Sequence, residues 1–180
     1  MSKFLQLHLL TSYPPSNLNR DDMGSPKSAI VGGTNRIRIS SQALKRAWRT
    51  SEVFETTAQL KNGTRTKELG SKIVYPKLIE MGVTEKLALE SAIAIASVFG
   101  KNKKADKKKP LEEADLEQIV FISPEEMDAV HSLLEKIATS GEKPTDNDLK
   151  LLKKEHSAAD LALFGRMLAS STVHNVEAAA

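Results

Sequence analysis

The spacing of apolar residues changes several times along the chain, and each change marks an element. Phe4 to Leu10 alternates in period two, with Leu5, Leu7 and Leu9 on one face, and predicts a first strand. Tyr13-Pro14-Pro15-Ser16 ends it, and a long polar loop with Gly32-Gly33 follows. Arg36 to Ile39 alternates again and predicts a second short strand. Ser40 and Ser41 offer N-cap hydroxyls to a helix over 41–51. On it Gln42, Lys45, Arg46 and Arg49 share one face, while Leu44, Ala47 and Trp48 lie on another and are expected to pack inward.

Residues 52–64 are polar, with a turn at Asn62-Gly63. Beyond them the period becomes helical. Leu69, Ile73, Val74, Leu78 and Met81 form a stripe interrupted by Pro76, which predicts a kink or two short helices. A helix from Thr84 to Val98 follows, with Gly100 placed to terminate it. The basic run at 101–109 reads as a loop, and Leu116 to Ile122 as a strand or extended link. Ser123-Pro124-Glu125-Glu126 has the form of a capping box, opening a helix buried along Met127, Val130, Leu134 and Ile137 and ended by Gly141. Another helix is expected from Thr145 to about Glu155. Asp160 to Met167 reads as extended, Gly165 suggesting a bulge or a close backbone approach, and Val176 as a helix start. A mainly helical block at 65–156 is therefore expected between two β-rich pieces.

Charge adds a polarity that the net value of +3 conceals. Residues 1–109 sum to +11 and residues 110–180 to −8. That asymmetry points to a polyanion at the basic side. Aromatic residues make up 4%, which argues against stacking on exposed rings as the main mode of binding. Cysteine is absent, so disulfides and thiolate metal sites are excluded, and no apolar run reaches the ~20 residues of a membrane span. A cytoplasmic protein is expected.

The densest chemistry lies between Asn17 and Arg49, where seven basic residues face two acidic ones. A capped helix N-terminus with a cationic flank suits a phosphate. An amphipathic surface helix has the same pattern, and the Gly-rich turn and the arginines before it favour the anion site. The four histidines are far apart, no phosphate-loop, dinucleotide or nucleophile-elbow motif occurs, and no metal or cofactor is expected. Asp21-Asp22 is the one acidic pair that invites a metal, but a two-metal site draws carboxylates from several elements. Loop ordering or pairing with Arg20 is the plainer role.

The run LNRDDMGSPKSAIVGG followed by RIRISSQALKRAWR resembles the N-terminal region of the CasC family, the backbone subunit of the type I-E CRISPR Cascade complex, within the RAMP superfamily. The likeness is dense over residues 1–51 and returns at DLALFGRMLAS. It implies an α+β fold: an RRM-like (ferredoxin-like) palm, incomplete at the C-terminus, with inserted helical fingers. The divisions would be 1–57, 58–157 and 158–180, the N-terminal part of a longer subunit. It further implies a non-enzymatic protein with CRISPR RNA, further copies in a head-to-tail array, other Cascade subunits and target DNA as partners. Arg20, Lys27, Ser40, Gln42, Lys45 and Arg49 are the expected RNA contacts, then Arg166 and Met167, the methionine packing against a displaced base. Lys101, Lys103, Lys104, Lys107, Lys108 and Lys109 would meet target DNA. An RNA-cleaving RAMP subunit using Asp21 or Asp22, or a generic basic nucleic-acid module, are the alternative readings.

Overall fold

The computed structural model describes residue 6 and residues 8–56, 61–104, 109–168 and 171–178. The chain divides into two compact units, Met1–Phe54 and Glu55–Ala180. The fold is mixed α+β with two small antiparallel sheets of two strands each.

In the first unit, strands β1 (Ser28–Val31) and β2 (Thr34–Ile37) pair antiparallel, Ser28 opposite Ile37 and Val31 opposite Thr34. Gly32 and Gly33, at φ 63° and 75°, make the two-residue connection. Both positive angles belong to a turn whose twist matches the strands, and glycine adopts them without steric cost. The strand expected at 36–39 is thus the second arm of a hairpin and ends at Ile37. Its partner β1 lies in what the pattern suggested was loop. Helix α1 (Ser41–Arg49) follows, then α2 (Glu52–Thr56). The strand expected at 4–10 falls largely outside the described residues, and residues 6 and 8–10 carry no regular structure.

Leu44, Ala47 and Trp48 do not pack inward as expected. Helix α1 buries none of its residues, and Trp48 is 47% exposed. Among the described residues of this unit only Ser40 is buried, so no apolar core exists there to receive them.

The second unit has the core. Strand β3 (Thr64–Thr66) pairs antiparallel with β4 (Val120–Ile122), all three β4 residues being buried. Between them a π-helical turn, Leu69–Val74, runs into α3 (Tyr75–Glu80), and then comes α4 (Glu85–Phe99). Proline lacks the N–H that an unbroken ladder needs, so Pro76 sits at the change of helical period. Helix α5 (Pro124–Ser140) is capped as expected: Ser123 Oγ accepts from the Glu126 N–H, and the Glu126 carboxylate accepts from Ser123 N–H. Its Val130, Leu134 and Ile137 join Leu78, Ile95 and Leu116 in one cluster.

Three expectations for the later chain are overturned. No helix forms from Thr145 to Glu155; a single turn around Asp148 is followed by extended chain that carries Leu151 into the core. Residues beyond it give backbone donors to α5 carboxylates, Lys153 N–H to Glu126 and Ser157 N–H to Glu125, and leave the helical ladder. Asp160 to Met167 is mostly helical, as α6 (Ala159–Phe164), its alanines and leucines being good helix formers. Val176 starts no helix; it exchanges backbone hydrogen bonds with Arg166 in an isolated bridge. Gly100 also departs from its expected role. At φ 179° it is extended, and a Cβ there would lie 3.2 Å from Val120 Cγ1.

Gly70 lies in the π-helical turn, where an added Cβ would fall on the Ala114 carbonyl. Backbone cannot yield as a side-chain tip can. Gly70→Ala is expected to lower stability by about 1–3 kcal/mol, read as a lowered urea midpoint with unchanged slope. An unchanged midpoint would mean the Leu69–Val74 turn and the Pro110–Ala114 turn are not in this contact.

Candidate nucleic-acid interface

The first unit is built around polar contacts. Asn19 is its joint: its backbone oxygen accepts the Lys27 N–H at 2.7 Å, and its side-chain Oδ1 accepts the Ser40 N–H at 2.9 Å. Arg38 N–H donates to Lys27 O at 2.9 Å, continuing the hairpin toward the helix. Ser40 Oγ then accepts from Ala43 N–H and caps α1. The Asp21 carboxylate accepts from the backbone N–H of Met23 and Ser25, so it orders the loop through backbone donors.

These bonds bring Lys27, Ser40, Gln42, Lys45 and Arg49 onto one short hairpin-and-helix module. Helix α1 has no acidic residue in its first turn, and Arg46 and Arg49 lie in its last. The positive end of the helix dipole is therefore uncompensated, while the cations at the other end stabilise the helix itself. Gln42, Arg46, Arg20, Arg36 and Arg38 are exposed, and Lys27, Lys45 and Arg49 are half-buried. Such a surface can hold phosphates through helix N–H groups, a hydroxyl and long cations together.

Arg166 is placed quite differently from the surface cation expected of it. It is 5% exposed, and Nη1 lies 2.6 Å from Glu126 Oε2, a carboxylate with no solvent exposure. Its Nε and Nη2 both donate to His174 O, and Nη2 lies 3.0 Å from His156 Nε2. A guanidinium with every edge occupied and no route to solvent does not contact RNA in this conformation. Met167 beside it is 87% exposed. With Ile119, itself 57% exposed, it borders a groove of about 330 Å³ whose other walls include Phe99, Val120 and Leu168. Gly165, at φ 71°, makes the close backbone approach expected of it, but to the chain's own tail: a Cβ would lie 2.8 Å from Val176 O.

Of the basic run, Lys101 pairs with Glu117, Lys103 with Asp115 and Lys109 with Glu112, and Lys104 is exposed. Lys107 and Lys108 lie outside the described residues. The exposed pairs of Lys101 and Lys109 are worth about 0–1 kcal/mol each, whereas Asp115 is buried and also accepts from the Ser71 hydroxyl, so Lys103 is held more firmly. Among the described residues no group of three or more His, Asp or Glu is placed to hold a metal ion, and no helix is long and apolar enough to cross a membrane.

The family model described as CT1975-like protein matches residues 5–180. The chain belongs to the CT1975-like protein family. Solved structures agree in fold. A chain of a "CRISPR RNA-guided surveillance complex" is 28% identical at a TM-score of 0.68, covering 93% of this chain and 53% of that one. A chain of a "CRISPR RNA-guided surveillance complex, pre-nicking" is 27% identical at a TM-score of 0.66, covering 91% and 46%. This CT1975-like chain thus spans about half the length of the solved chains it matches. No curated protein matches it.

Sequence reasoning missed three groups in this CT1975-like protein. Asn19 gives no periodic signal, and its only mark in the sequence is its place in the LNRDD run that carries the family resemblance. Glu126 signals only a capping box, and His156 only a structural or surface histidine without a partner in the sequence. Burial, and then the Arg166 charge, hold the His156 ring below its ordinary value of 6.5. The Ser157 hydroxyl, with backbone donors, holds Glu125 at about 2 against an ordinary 4.5.

Both shifts make the unfolded chain bind protons more readily than the folded one, so stability present at neutral pH falls as pH falls. The His156 contribution is lost first, below about pH 6.5 and through its lowered folded value; that of Glu125 follows below about 4.5. His156→Gln keeps an acceptor for Arg166 without titrating. Its urea midpoint is expected to vary less than wild type between about pH 7.5 and about pH 5.5. Parallel curves in that window would remove His156 from the account.

Proposed function

We propose that this chain is part of a CRISPR RNA-binding backbone subunit of a Cascade-type effector, of the type I-E CasC kind. It holds the guide through its sugar–phosphate backbone and reads no sequence, which base pairing supplies. The observation that carries this is the module of hairpin and capped α1, with its acid-free first turn and its cations. The likeness to chains of RNA-guided surveillance complexes supports it. In this reading Arg20, Lys27, Ser40, Gln42, Lys45 and Arg49 meet guide phosphates, and Met167 packs on a base.

Further parts of the reading extend beyond these residues. The first unit completes an RRM-like palm with chain beyond this span, and copies assemble head-to-tail along the guide with other Cascade subunits, in the cytoplasm. Repetition along one strand demands such an open contact. The 101–109 run meets target DNA, the exposed Lys101–Glu117 and Lys109–Glu112 pairs opening to phosphates. The subunit is catalytically silent in this reading, which the loop-ordering bonds from Met23 and Ser25 N–H to Asp21 Oδ1 support.

Lys45→Ala with Arg49→Ala is expected to weaken binding about equally for all RNA sequences and to lower the salt slope by about 1–2. Fluorescence anisotropy against salt checks it, and sequence-selective loss with an unchanged slope would overturn the phosphate assignment. Asp21→Asn with Asp22→Asn is expected to leave any Mg²⁺-dependent RNA cleavage by the assembled complex unchanged. A clean loss in a gel assay would turn the reading toward an RNA-cleaving subunit.

A further inference from the structure

Arg166 and Met167 are adjacent in sequence and opposite in placement, one sealed inside the second unit and one almost wholly in solvent. The backbone explains how. Arg166 exchanges N–H and C=O bonds with Val176 at 2.8 and 2.9 Å, forming a short two-chain clip. Leu168 N–H donates to Asn175 Oδ1 at 2.6 Å, closing the clip around Met167. Leu168 is buried again, so Met167 is the apex of a small outward arch. Val176 packs against Phe121, Ala158 and Leu161 at the base of the arch, while Thr172, Val173 and Asn175 are exposed.

The clip is held from inside by one guanidinium. Arg166 reaches inward to Glu126 on α5 and to His156 on the returning chain, and backward to His174 O on the far arm. It therefore links both arms of the clip to the helix that anchors the core. Charged and titratable groups facing it are Glu126 from α5 and His156 from the extended chain, His156 in turn feeling Glu125, with His174 on the far arm contributing its carbonyl. Lysine could not do this. Its ammonium has three donors on a point, whereas the planar guanidinium serves carboxylate, ring and carbonyl at once.

We infer that Arg166 is a positioning residue: through Glu126, His156 and His174 O it fixes the 166–176 clip and so holds Met167 out as a rigid apolar contact for nucleic acid. The nucleic-acid part rests on the function proposed above; the clip itself does not. The reading replaces Arg166 as an RNA contact with Arg166 as the internal support of its neighbour.

A test must separate support from contact, and it must survive loss of the buried pair. Arg166→Met alone leaves Glu126 charged, buried and without its cation, a cost that falls on the whole fold and not on the clip alone. Arg166→Met with Glu126→Gln avoids this, because glutamine still serves a capping box and the net charge is unchanged. In the 180-residue chain, hydrogen exchange by mass spectrometry is expected to accelerate about tenfold or more in peptides covering 166–176, with α5 still protected. Binding of a fluorescein-labelled mixed-sequence single-stranded RNA is expected to weaken to the level of Met167→Ala, with the salt slope of wild type. Combining Met167→Ala with the double variant is expected to cost nothing further. Unchanged exchange at 166–176 would overturn the support role. A salt slope lowered by about one would restore Arg166 as a phosphate contact and likewise overturn it. If wild type fails to bind the RNA at low salt, the functional reading and the RNA-facing role of Met167 fall, while the exchange result still decides whether Arg166 holds the clip.

Discussion

One carboxylate, with no exposure to solvent, orders the second unit. Glu126 accepts the Ser123 N–H at the start of α5, the Lys153 N–H on the returning chain and Arg166 Nη1 beyond α6. Burying an ion pair this completely is not a cheap route to stability, since the desolvation of two charges offsets most of their attraction. An apolar pair of equal volume would hold the space as well. What the carboxylate adds is exclusivity: three segments, separated in sequence by 27 and 40 residues from Glu126, must meet at one point or leave a charge unpaired.

Its neighbour works in parallel. Glu125 takes the Ser157 N–H and hydroxyl, so consecutive carboxylates at the start of α5 grip the chain at residues 153 and 157. The segment between them cannot wind into a helix while those donors point away from the local carbonyls. The apolar residues Leu149, Leu151 and Leu152 are then used as three footholds on the core instead of as one helical stripe. From that grip follow the position of His156, the direction in which α6 leaves and the place where Arg166 enters.

The first unit follows the opposite principle. It has almost no buried surface among its described residues and is held by local hydrogen bonds: the Asp21 turn, the Asn19 joint, the hairpin and the Ser40 cap. Ile30, Val31 and Trp48 remain in solvent. A module organised this way keeps Arg20, Arg38 and Arg46 exposed on a frame set by local bonds, which suits a binding surface for a polyanion. Most of its chemistry was legible because cap, hairpin turn and cationic face are all encoded within a few residues. Even so, β1 went unread, although Gly32-Gly33 between SAIV and TNRI is a hairpin signal in its own right.

By itself the sequence determined the elements whose cause is local. Helices α1 and α5 follow from their cap residues and α4 from its apolar period, the break at Pro76 from a missing donor, and the basic face of α1 from its spacing. Those interactions span at most a few residues, so composition and order suffice to specify them. Only the tertiary structure decided the fate of groups whose partners are distant. Leu149 to Leu152 has a helix-like pattern, yet α5 carboxylates draw the following backbone out of the ladder. Asp160 to Phe164 reads as extended beside Gly165, yet closes into a helix whose Leu161 is buried. Arg166 looks in sequence like any cation next to an RNA-facing methionine. It turns inward because the fold sets beside it a carboxylate that no water can reach, and a buried negative charge takes the nearest positive one.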